Sequence, residues 1–376
     1  MATYYISTTG DDADAGSEAA PWLTFEHAVS TIAAGDTVLI EDGTYEPAAE
    51  LTLPEIGPII NTTWMSKSED KSKVIIHFTA ANTVTNGWYL RKTNVPTSKT
   101  TFKHLTMRQS YSAGSTSIIN GGKSGGSIHG GLHIEDCDLY GSVYGVRYAG
   151  PASVIQRCKI NWFDNGSGNA PVEGLRGSQG GVSIDSCLFV HWVESIDRAT
   201  TPAGAVIRNC TIIGHPTVAG TQGIMCGTGG TIFNCAMYSY AAGASYNYGF
   251  RFSSTNASNT IRSTVAAGDY DSGEYVNTGA PTVFSPDPLE GQTQLTNDFA
   301  DKMFVDLAGG DYLPLAAGIL YQRGYATSFP VTDLNGNPFN DPPSIGCLED
   351  PPAAGGGVRG EAPRVNNFNN LNNLKL

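Results

Sequence analysis

Charged residues are scarce in this sequence, and basic residues are the scarcest of them. Only 15% of the 376 residues are charged, and 22 Lys and Arg stand against 35 Asp and Glu, which gives a net charge of −13. A protein that binds a nucleic-acid backbone needs clustered Lys and Arg. The composition therefore excludes a nucleic acid as partner, and it disfavours an anionic polymer unless the basic residues cluster locally.

The sequence also lacks two kinds of apolar segment. No stretch approaches the length of a membrane span, so we expect no membrane partner. Residues 1–6 hold no basic region followed by an apolar run, so they do not form a signal peptide. We expect a protein made in the cytoplasm; if it is exported, another export route or cell lysis must release it.

Metal-binding cysteine patterns are absent as well. The seven Cys include no Cys-x-x-Cys pair, and no Cys and His share zinc-site spacing. Five of them instead recur within one six-residue phrase, roughly 20 to 30 residues apart: Cys137, Cys158, Cys187, Cys210 and Cys235. We interpret them as core filler, because reduced Cys is small and apolar. Disulfides between neighbouring copies are compatible with the pattern but not implied by it.

Each copy of the phrase predicts two strands joined at a sharp corner. The copies are residues 134–139, 155–160, 184–189, 207–212 and 232–237, with weaker ones at 102–107 and 261–266. Apolar residues fill the first, fourth and sixth places, so the last three places alternate as in a strand, whereas the first place does not fit the same strand. The residue before the Cys is often Asn or Asp, which tolerates the left-handed conformation of a one-residue bend.

A third strand lies between copies. It is marked by Val146, Leu175, Ile196, Ile224 and Phe250, and Trp88 indicates an earlier one. Three short strands per turn of about 25 residues predict an all-β fold, a single right-handed parallel β-helix whose stacked turns share one core.

The chain ends predict a cap and a tail. Residues 4–6 read as a strand, and Phe25, Ala28, Val29 and Ile32 have helical spacing, with Pro21 suited to the helix start. Such a unit would cover the open end of the solenoid. We divide the chain into a cap (1–50), β-helix turns (51–300), a closing segment (301–350) and a linker with a docking tail (351–376).

The tail has a pattern of its own. After a Pro- and Gly-rich linker, apolar residues separated by Asn pairs recur: Val365, Phe368, Leu371, Leu374 and finally Leu376. Such a strip cannot bury its apolar residues alone. We therefore predict that it docks on a sister chain or another protein.

Both ends of the β-helix resemble a known group. The motifs Tyr4-Tyr5-Ile6-Ser7, Gly10-x-Asp12, Pro21-Trp22-x-Thr24, Gly35-Asp36-Thr37-Val38 and Gly43-Thr44-Tyr45 resemble the start of the pectate-lyase-like β-helix superfamily, and residues 304–313 and 333–349 are similar to its close. The resemblance spans residues 3–349 and implies the fold. It leaves the activity open, because the group includes polysaccharide lyases, glycoside hydrolases, epimerases and non-catalytic phage surface proteins.

The resemblance also implies that a polymer would lie along the outer face of one parallel sheet. Alternation puts one residue of each third strand outward at matching places: Tyr89, Arg147, Arg176, Asp197, Met225 and Arg251. Because Arg pairs with carboxylates in a bidentate way, we predict that all of these except Met225 contact a glycan. The alternative is a solvated strand face with an ion pair between Arg176 and Asp197.

Catalytic residues are harder to identify. A glycosidase needs two carboxylates about 5–9 Å apart, and the sequence offers Asp136 with Asp138, Asp164 with Glu173, and Glu194 with Asp197. We take Arg176, Glu194 and Asp197 as catalytic candidates, because Glu194 and Asp197 lie in the densest polar cluster, with His191 and Arg198. The Gly-His-Gly of polygalacturonase-like hydrolases is replaced here by Gly214-His215-Pro216.

No cofactor is predicted, and calcium is the one metal considered. A lyase would need a base and, as a rule, clustered acids for calcium, which we cannot assemble on neighbouring turns. Asp11, Asp12 and Asp14 could hold calcium, although a plain turn loop is the favoured interpretation.

Two functions compete at this stage. The first is a non-catalytic structural or adhesive protein of a viral particle, such as a phage capsid decoration or tail surface protein. It would be anchored to other virion proteins by its tail, with a homo-oligomeric state and a polysaccharide ligand left open. The second is a polysaccharide lyase or glycoside hydrolase that acts along the outer face of the β-helix, outside the cell.

Overall fold

The computed structural model of this protein is a right-handed parallel β-helix, as the repeats predict. It describes residues 1–53, 61–79, 86–90, 99–110, 116–121, 131–141, 143–150, 152–162, 172–177, 181–197, 205–216, 222–226, 230–239, 248–252, 260–262, 264–268, 275–277, 283–284, 303–308, 310–315, 320, 332–339, 343–344 and 346–349. Within these residues each turn contributes one strand to each of three parallel sheets, numbered here in the order in which the chain enters them.

The strands stack in register along the helix axis. Sheet 1 contains β1 (Thr3–Ile6), β2 (Thr37–Ile40), β5 (Asn61–Ser66), β8 (Lys99–Lys103), β11 (Gly131–Glu135), β14 (Val154–Gln156), β17 (Ser183–Asp185), β20 (Val206–Arg208), β23 (Thr231–Phe233), β26 (Thr260–Arg262) and β29 (Val283–Phe284). Sheet 2 contains β3 (Gly43–Tyr45), β6 (Val74–Phe78), β9 (Thr106–Gln109), β12 (Asp138–Gly141), β15 (Lys159–Trp162), β18 (Leu188–Trp192), β21 (Thr211–Gly214), β24 (Ala236–Ser239) and β27 (Val265–Gly268). Sheet 3 contains β4 (Leu51–Leu53), β7 (Asn86–Leu90), β10 (Ser117–Asn120), β13 (Tyr144–Ala149), β16 (Glu173–Gly177), β19 (Glu194–Asp197), β22 (Gln222–Cys226), β25 (Tyr248–Phe252) and β28 (Tyr275–Asn277).

The corner between sheets 1 and 2 has the left-handed backbone that the sequence predicts. The φ angles are 53° at His104, 51° at Asp136, 50° at Arg157, 51° at Ser186, 52° at Asn209 and 47° at Asn234. One left-handed residue turns the chain from sheet 1 into sheet 2 without a loop. The later corners also bond to each other, since Asn234 Nδ2 donates to Asn209 Oδ1 at 3.2 Å.

The cysteine column fills the interior, as predicted. Cys137, Cys158, Cys187, Cys210 and Cys235 are all fully buried, and their thiols are free. Each Sγ donates to the backbone carbonyl two residues before it, over 3.1 to 3.3 Å. Burial raises the pKa of the Cys187 thiol well above its usual value. The column is therefore a set of small, buried core residues whose thiols are not joined in disulfides.

The N-terminal helix starts later than predicted. Helix α1 spans Phe25–Thr31, and Thr24 is its N-cap, with Oγ1 accepting from His27 N at 3.1 Å. Placing its start at Pro21 was wrong, because Trp22 still belongs to an extended segment: its N donates to Tyr5 O and its O accepts from Ser7 N, both at 2.9 Å. The helix then packs on the first turns of the solenoid.

That packing is aromatic. The Phe25 ring lies 6.2 Å from Trp64 and 6.0 Å from Trp88, between ring centroids, and Trp64 lies 4.8 Å from Trp88. All three side chains are buried.

The predicted limit of the cap at residue 50 stays a prediction. Among the described residues, no helix is long and apolar enough to cross a bilayer.

The closing segment folds back over the outside of sheet 2. Its antiparallel hairpin consists of β30 (Phe304–Asp306) and β31 (Asp311–Pro314). A second apolar cluster joins outward residues of β18, β21 and β24 to this segment: Leu188, Val190, Ile213, Ala236 and Tyr238 with Met303, Phe304, Tyr312, Leu320, Cys347 and Leu348. A hydrogen bond from Cys347 N to Thr211 Oγ1 at 3.0 Å fixes its end. The predicted docking tail, residues 351–376, lies outside the described residues.

Candidate functional site

The outer face of sheet 3 carries the predicted column of side chains. Val146 and Leu175 point into the core and are buried, so Arg147 and Arg176, which follow them, point outward. The register pairs Tyr89 with Asn120, Asn120 with Arg147, Arg147 with Arg176, Arg176 with Asp197, Asp197 with Met225, and Met225 with Arg251. Successive members are therefore one strand spacing apart, about 4.8 Å. Their role as glycan contacts stays a prediction.

A second column runs beside the first. It pairs Asn86 with Ser117, Ser117 with Tyr144, Tyr144 with Glu173, Glu173 with Glu194, Glu194 with Gln222, and Gln222 with Tyr248. Sequence reasoning missed this column and did not find β10, although the turn that holds β10 carries the weaker copy of the phrase at residues 102–107. The signal that could have found it is the buried pair Ile118 and Ile119 beside polar neighbours.

The two columns are hydrogen-bonded at their N-terminal end. Asn86 Nδ2 donates to Glu50 Oε2 at 2.7 Å, and Asn86 Oδ1 accepts from Ser117 Oγ at 2.8 Å and from Asn120 Nδ2 at 3.0 Å. Ser117 and Asn120 are buried. This network holds hydroxyl and amide groups in fixed places on the strand face.

Arg147 is held between two tyrosine rings. Its Cζ lies 4.6 Å from the ring centroid of Tyr144 and 4.7 Å from that of Tyr148. Tyr148 reaches this place from a left-handed backbone with φ 59°. Each such contact contributes about 0.5–1 kcal/mol and orients the guanidinium plane. Burial, and the charge of Glu173, raise the pKa of Tyr144, while Arg147 opposes that shift.

Arg176 has an acidic neighbour on its own strand. Its Nη1 lies 3.3 Å from Glu173 Oε1; the Arg176 side chain is 32% exposed and that of Glu173 5%. This contact differs from the predicted pair of Arg176 with Asp197, although Asp197 is the register partner of Arg176. The side chains of Glu194, Asp197 and Arg251 lie outside the described residues, so their contacts as catalytic or glycan-binding candidates stay predictions.

Two of the other carboxylate candidates, Asp136 and Asp138, are ion-paired. Arg157 Nε and Nη2 donate to Asp136 Oδ1 and Oδ2 at 2.8 and 2.9 Å. Lys71 Nζ lies 2.7 Å from Asp138 Oδ1. A catalytic role for either residue stays a prediction, and Asp164 lies outside the described residues.

The histidines at the corner between sheets 2 and 3 are packing residues. The His215 ring is buried, with its centroid 4.8 Å from that of Trp162 and 6.0 Å from that of His191. Burial, and repulsion from His215, lower the pKa of His191 to about 4. At neutral pH His191 is therefore uncharged.

The proposed calcium loop is engaged in protein contacts. Asp12 Oδ1 accepts from the amides of Leu23 and Thr24, each at 2.9 Å, and Asp12 Oδ2 accepts from Thr24 Oγ1 at 2.6 Å. Burial would raise the pKa of Asp12, but these hydrogen bonds lower it. Among the described residues no three His, Cys, Asp or Glu side chains could share a metal ion. A calcium site stays a prediction.

Comparison with known proteins identifies the fold. No protein-family profile matches the sequence, and no curated protein does. Pectate lyase Pel9A has a similar structure: TM-score 0.54, 13% identity, 93% of this chain and 96% of that chain covered. More distant similarities include a rhamnogalacturonan lyase (TM-score 0.39, 16% identity, 74% and 75% covered) and the pectin methylesterase of Aspergillus niger (0.40, 13%, 78% and 84%). The chain thus has the pectate-lyase-like right-handed parallel β-helix fold.

Proposed function

We propose that this protein is a non-catalytic β-helix of a viral particle that binds a polysaccharide along the outer face of sheet 3. The proposal rests on the two columns of side chains on that face. Arg147 and Arg176 lie on adjacent strands, and the rings of Tyr144 and Tyr148 contact the guanidinium group of Arg147. The fold alone carries no function, because related scaffolds serve many activities.

An extended sugar chain fits this face chemically. Its rows repeat every strand, about 4.8 Å, so one chain can touch several rows in series. Tyr rings pack on sugar faces, and the amides of Asn86 and Asn120 offer groups for hydroxyls. Arg147 and Arg176 offer planar forks for carboxylates. An acidic polysaccharide is therefore the favoured ligand, even though the protein is acidic overall.

The binding face is tested by removing one guanidinium. Arg147→Gln should weaken binding to acidic polysaccharides about tenfold or more, because it removes a desolvated charge and a bidentate donor. Affinity electrophoresis of the full chain against uronate-containing and neutral polysaccharides measures this. Lys73→Gln is the matched control, since Lys73 is 53% exposed and lies outside sheet 3. Equal binding by Arg147→Gln and the unaltered chain, or binding to no polysaccharide, contradicts the proposal.

The same incubations test the enzymatic alternative. Glu173 and Glu194 are neighbours in register, which favours a carboxylate pair on this face. New reducing ends would indicate hydrolysis, and unsaturated products would indicate a lyase. Turnover by the unaltered chain that disappears in Glu173→Gln would replace the binding role with a catalytic one.

Attachment to the particle is assigned to the tail. Residues Val365, Phe368, Leu371, Leu374 and Leu376 form an apolar strip that needs a partner surface. We expect that deletion of residues 351–376 leaves a folded β-helix with unchanged polysaccharide binding but abolishes incorporation into particles. Circular dichroism and immunoblots of purified particles measure the two effects. Normal incorporation of the shortened chain would exclude the tail as the anchor.

A further inference from the structure

The outer face of sheet 2 changes character along the helix axis. In its later turns the outward residues Val190, Ile213 and Tyr238 are apolar and lie under the closing segment. In the earlier turns the same column continues as Asn161, Tyr140, Arg108 and His77. The outer face of sheet 2 is thus apolar under the closing segment and polar in the earlier turns. Such polar side chains suit contact with solvent or with a polar ligand.

Cations gather around one tyrosine in the polar half. Arg108 Cζ lies 5.5 Å from the ring centroid of Tyr140, and Lys159 Nζ lies 5.7 Å from it. Lys159 is the register partner of Asp138, whose Oδ1 is 2.7 Å from Lys71 Nζ. Arg108 and Lys159 thus lie beside Tyr140, and Lys71 and Lys159 lie near Asp138, in a protein whose net charge is −13.

This cluster is only partly solvated. Tyr140 is 8% exposed, and the side chains of Lys71 and Asp138 are 31% and 20% exposed. Burial, and repulsion from Lys71, lower the pKa of Lys159 to about 8, although Asp138 opposes that shift. Arg108 Nε is buried and has no acceptor. A buried donor without an acceptor is destabilising, so an added anion would be favoured here.

We propose that Arg108 and Lys159 beside Tyr140, together with Lys71 beside the neighbouring Asp138, form a binding site for an oxyanion on the outer face of sheet 2. The ligand is a sulfate, phosphate or carboxylate group, whether free or carried on a larger molecule. Arg108 offers a planar fork and the two lysines offer point charges. The Tyr140 hydroxyl stays protonated, because burial raises its pKa, and can donate. This site is separate from the polysaccharide face and does not depend on it.

Protection of Lys159 from acylation tests the site. The full chain is treated with a limiting amount of an amine-acetylating ester at about pH 8, near the pKa of Lys159, and acetylation is measured by peptide mass spectrometry. Millimolar sodium sulfate, phosphate or acetate is compared with sodium chloride at equal ionic strength. We expect at least one oxyanion to slow acetylation of Lys159 about threefold or more, because a bound anion favours the ammonium form and covers it.

Controls separate the site from general salt effects. Lys73, 53% exposed and two residues from Lys71, should react at the same rate in every salt. Arg108→Gln should remove the protection of Lys159 in a chain whose circular dichroism is unchanged. Equal acetylation of Lys159 in all four salts overturns the proposal without any variant, and so does protection that persists in a folded Arg108→Gln chain. Sulfate and phosphate protecting without acetate would identify a tetrahedral anion.

Discussion

At the residue scale, the backbone of the corner between sheets 1 and 2 could be predicted at some positions from the residue type alone. The Asn and Asp residues before the cysteines predicted the left-handed bend, and Asn209 and Asn234 adopt it. Arg157 adopts it as well, although its side chain gives no local signal. Two hydrogen bonds to Asp136, the corner one turn earlier, hold Arg157 in place. That contact could not be predicted, because it depends on a register that only the folded chain defines.

His104 isolates the cost of this backbone. Its φ is 53°, where a β-branched residue is strained by about 1–2 kcal/mol and Gly is not. We therefore expect His104→Gly to be more stable than His104→Val, with a free energy of unfolding that is larger by at least about 1 kcal/mol. Urea unfolding followed by circular dichroism measures the difference.

A strand position supplies the control for His104. Lys103 precedes the corner within β8, where Val is favoured over Gly. Lys103→Val should accordingly be more stable than Lys103→Gly, and both lose the same contact to Glu135. If the Val variant is more stable than the Gly variant at both positions, left-handed strain does not determine the stability of the corner.

At the element scale, prediction was most complete where the cysteine phrase repeats. The strands on either side of Cys137 and Cys158 follow the phrase. The strand β10 (Ser117–Asn120) was missed, although it follows the weaker copy of the phrase at residues 102–107 and joins β7 to β13. Helix α1 was found by its apolar spacing but placed too early. The start of the helix depends on a contact with Asp12, twelve residues earlier in the chain. Asp12 Oδ2 accepts a hydrogen bond from Oγ1 of Thr24, the N-cap residue.

At the scale of the whole molecule, each sheet presents a different outer face. Sheet 3 carries the two polar columns, and sheet 2 is half covered by the closing segment. Sheet 1 carries a ladder of opposite charges, in which Lys103 and Arg157 flank Glu135, and Arg208 contacts Asp185. The column that contains Arg147 and Arg176 followed from alternation along the repeat, whereas the column beside it did not. The cover on sheet 2 did not, because its contacts join residues more than one hundred positions apart.

The balance of buried charges also predicts how the whole chain responds to acid. Burial, and repulsion from Lys99, lower the pKa of His133 to about 4, and the pKa of His191 is lowered as well. A His whose pKa is lower in the folded state than in the unfolded state takes up protons mainly on unfolding. Its stabilising contribution is therefore present above its unfolded pKa of about 6.5 and is lost as the pH falls towards 4.

Two carboxyl groups also make stability depend on pH, one below the pH range of the histidines and one in the opposite direction. Burial disfavours ionisation of Glu135, but Lys103 and Arg157 lower its pKa to about 2, so its contribution is lost only below its ordinary value of 4.5. Burial raises the pKa of Asp333, which adds stability as the pH falls and so opposes the histidines. A single-residue comparison is therefore needed to isolate His133.

We expect the free energy of unfolding to fall between about pH 7.5 and about pH 5, with His133 alone accounting for about 2 kcal/mol. The His133 side chain is 16% exposed, so solvent screens this effect only weakly. Urea unfolding at the two pH values measures the fall, and His133→Gln should reduce it by about the same 2 kcal/mol, because Gln does not titrate. A fall of equal size in His133→Gln and in the unaltered chain would show that the buried imidazole of His133 does not set the acid response of this β-helix.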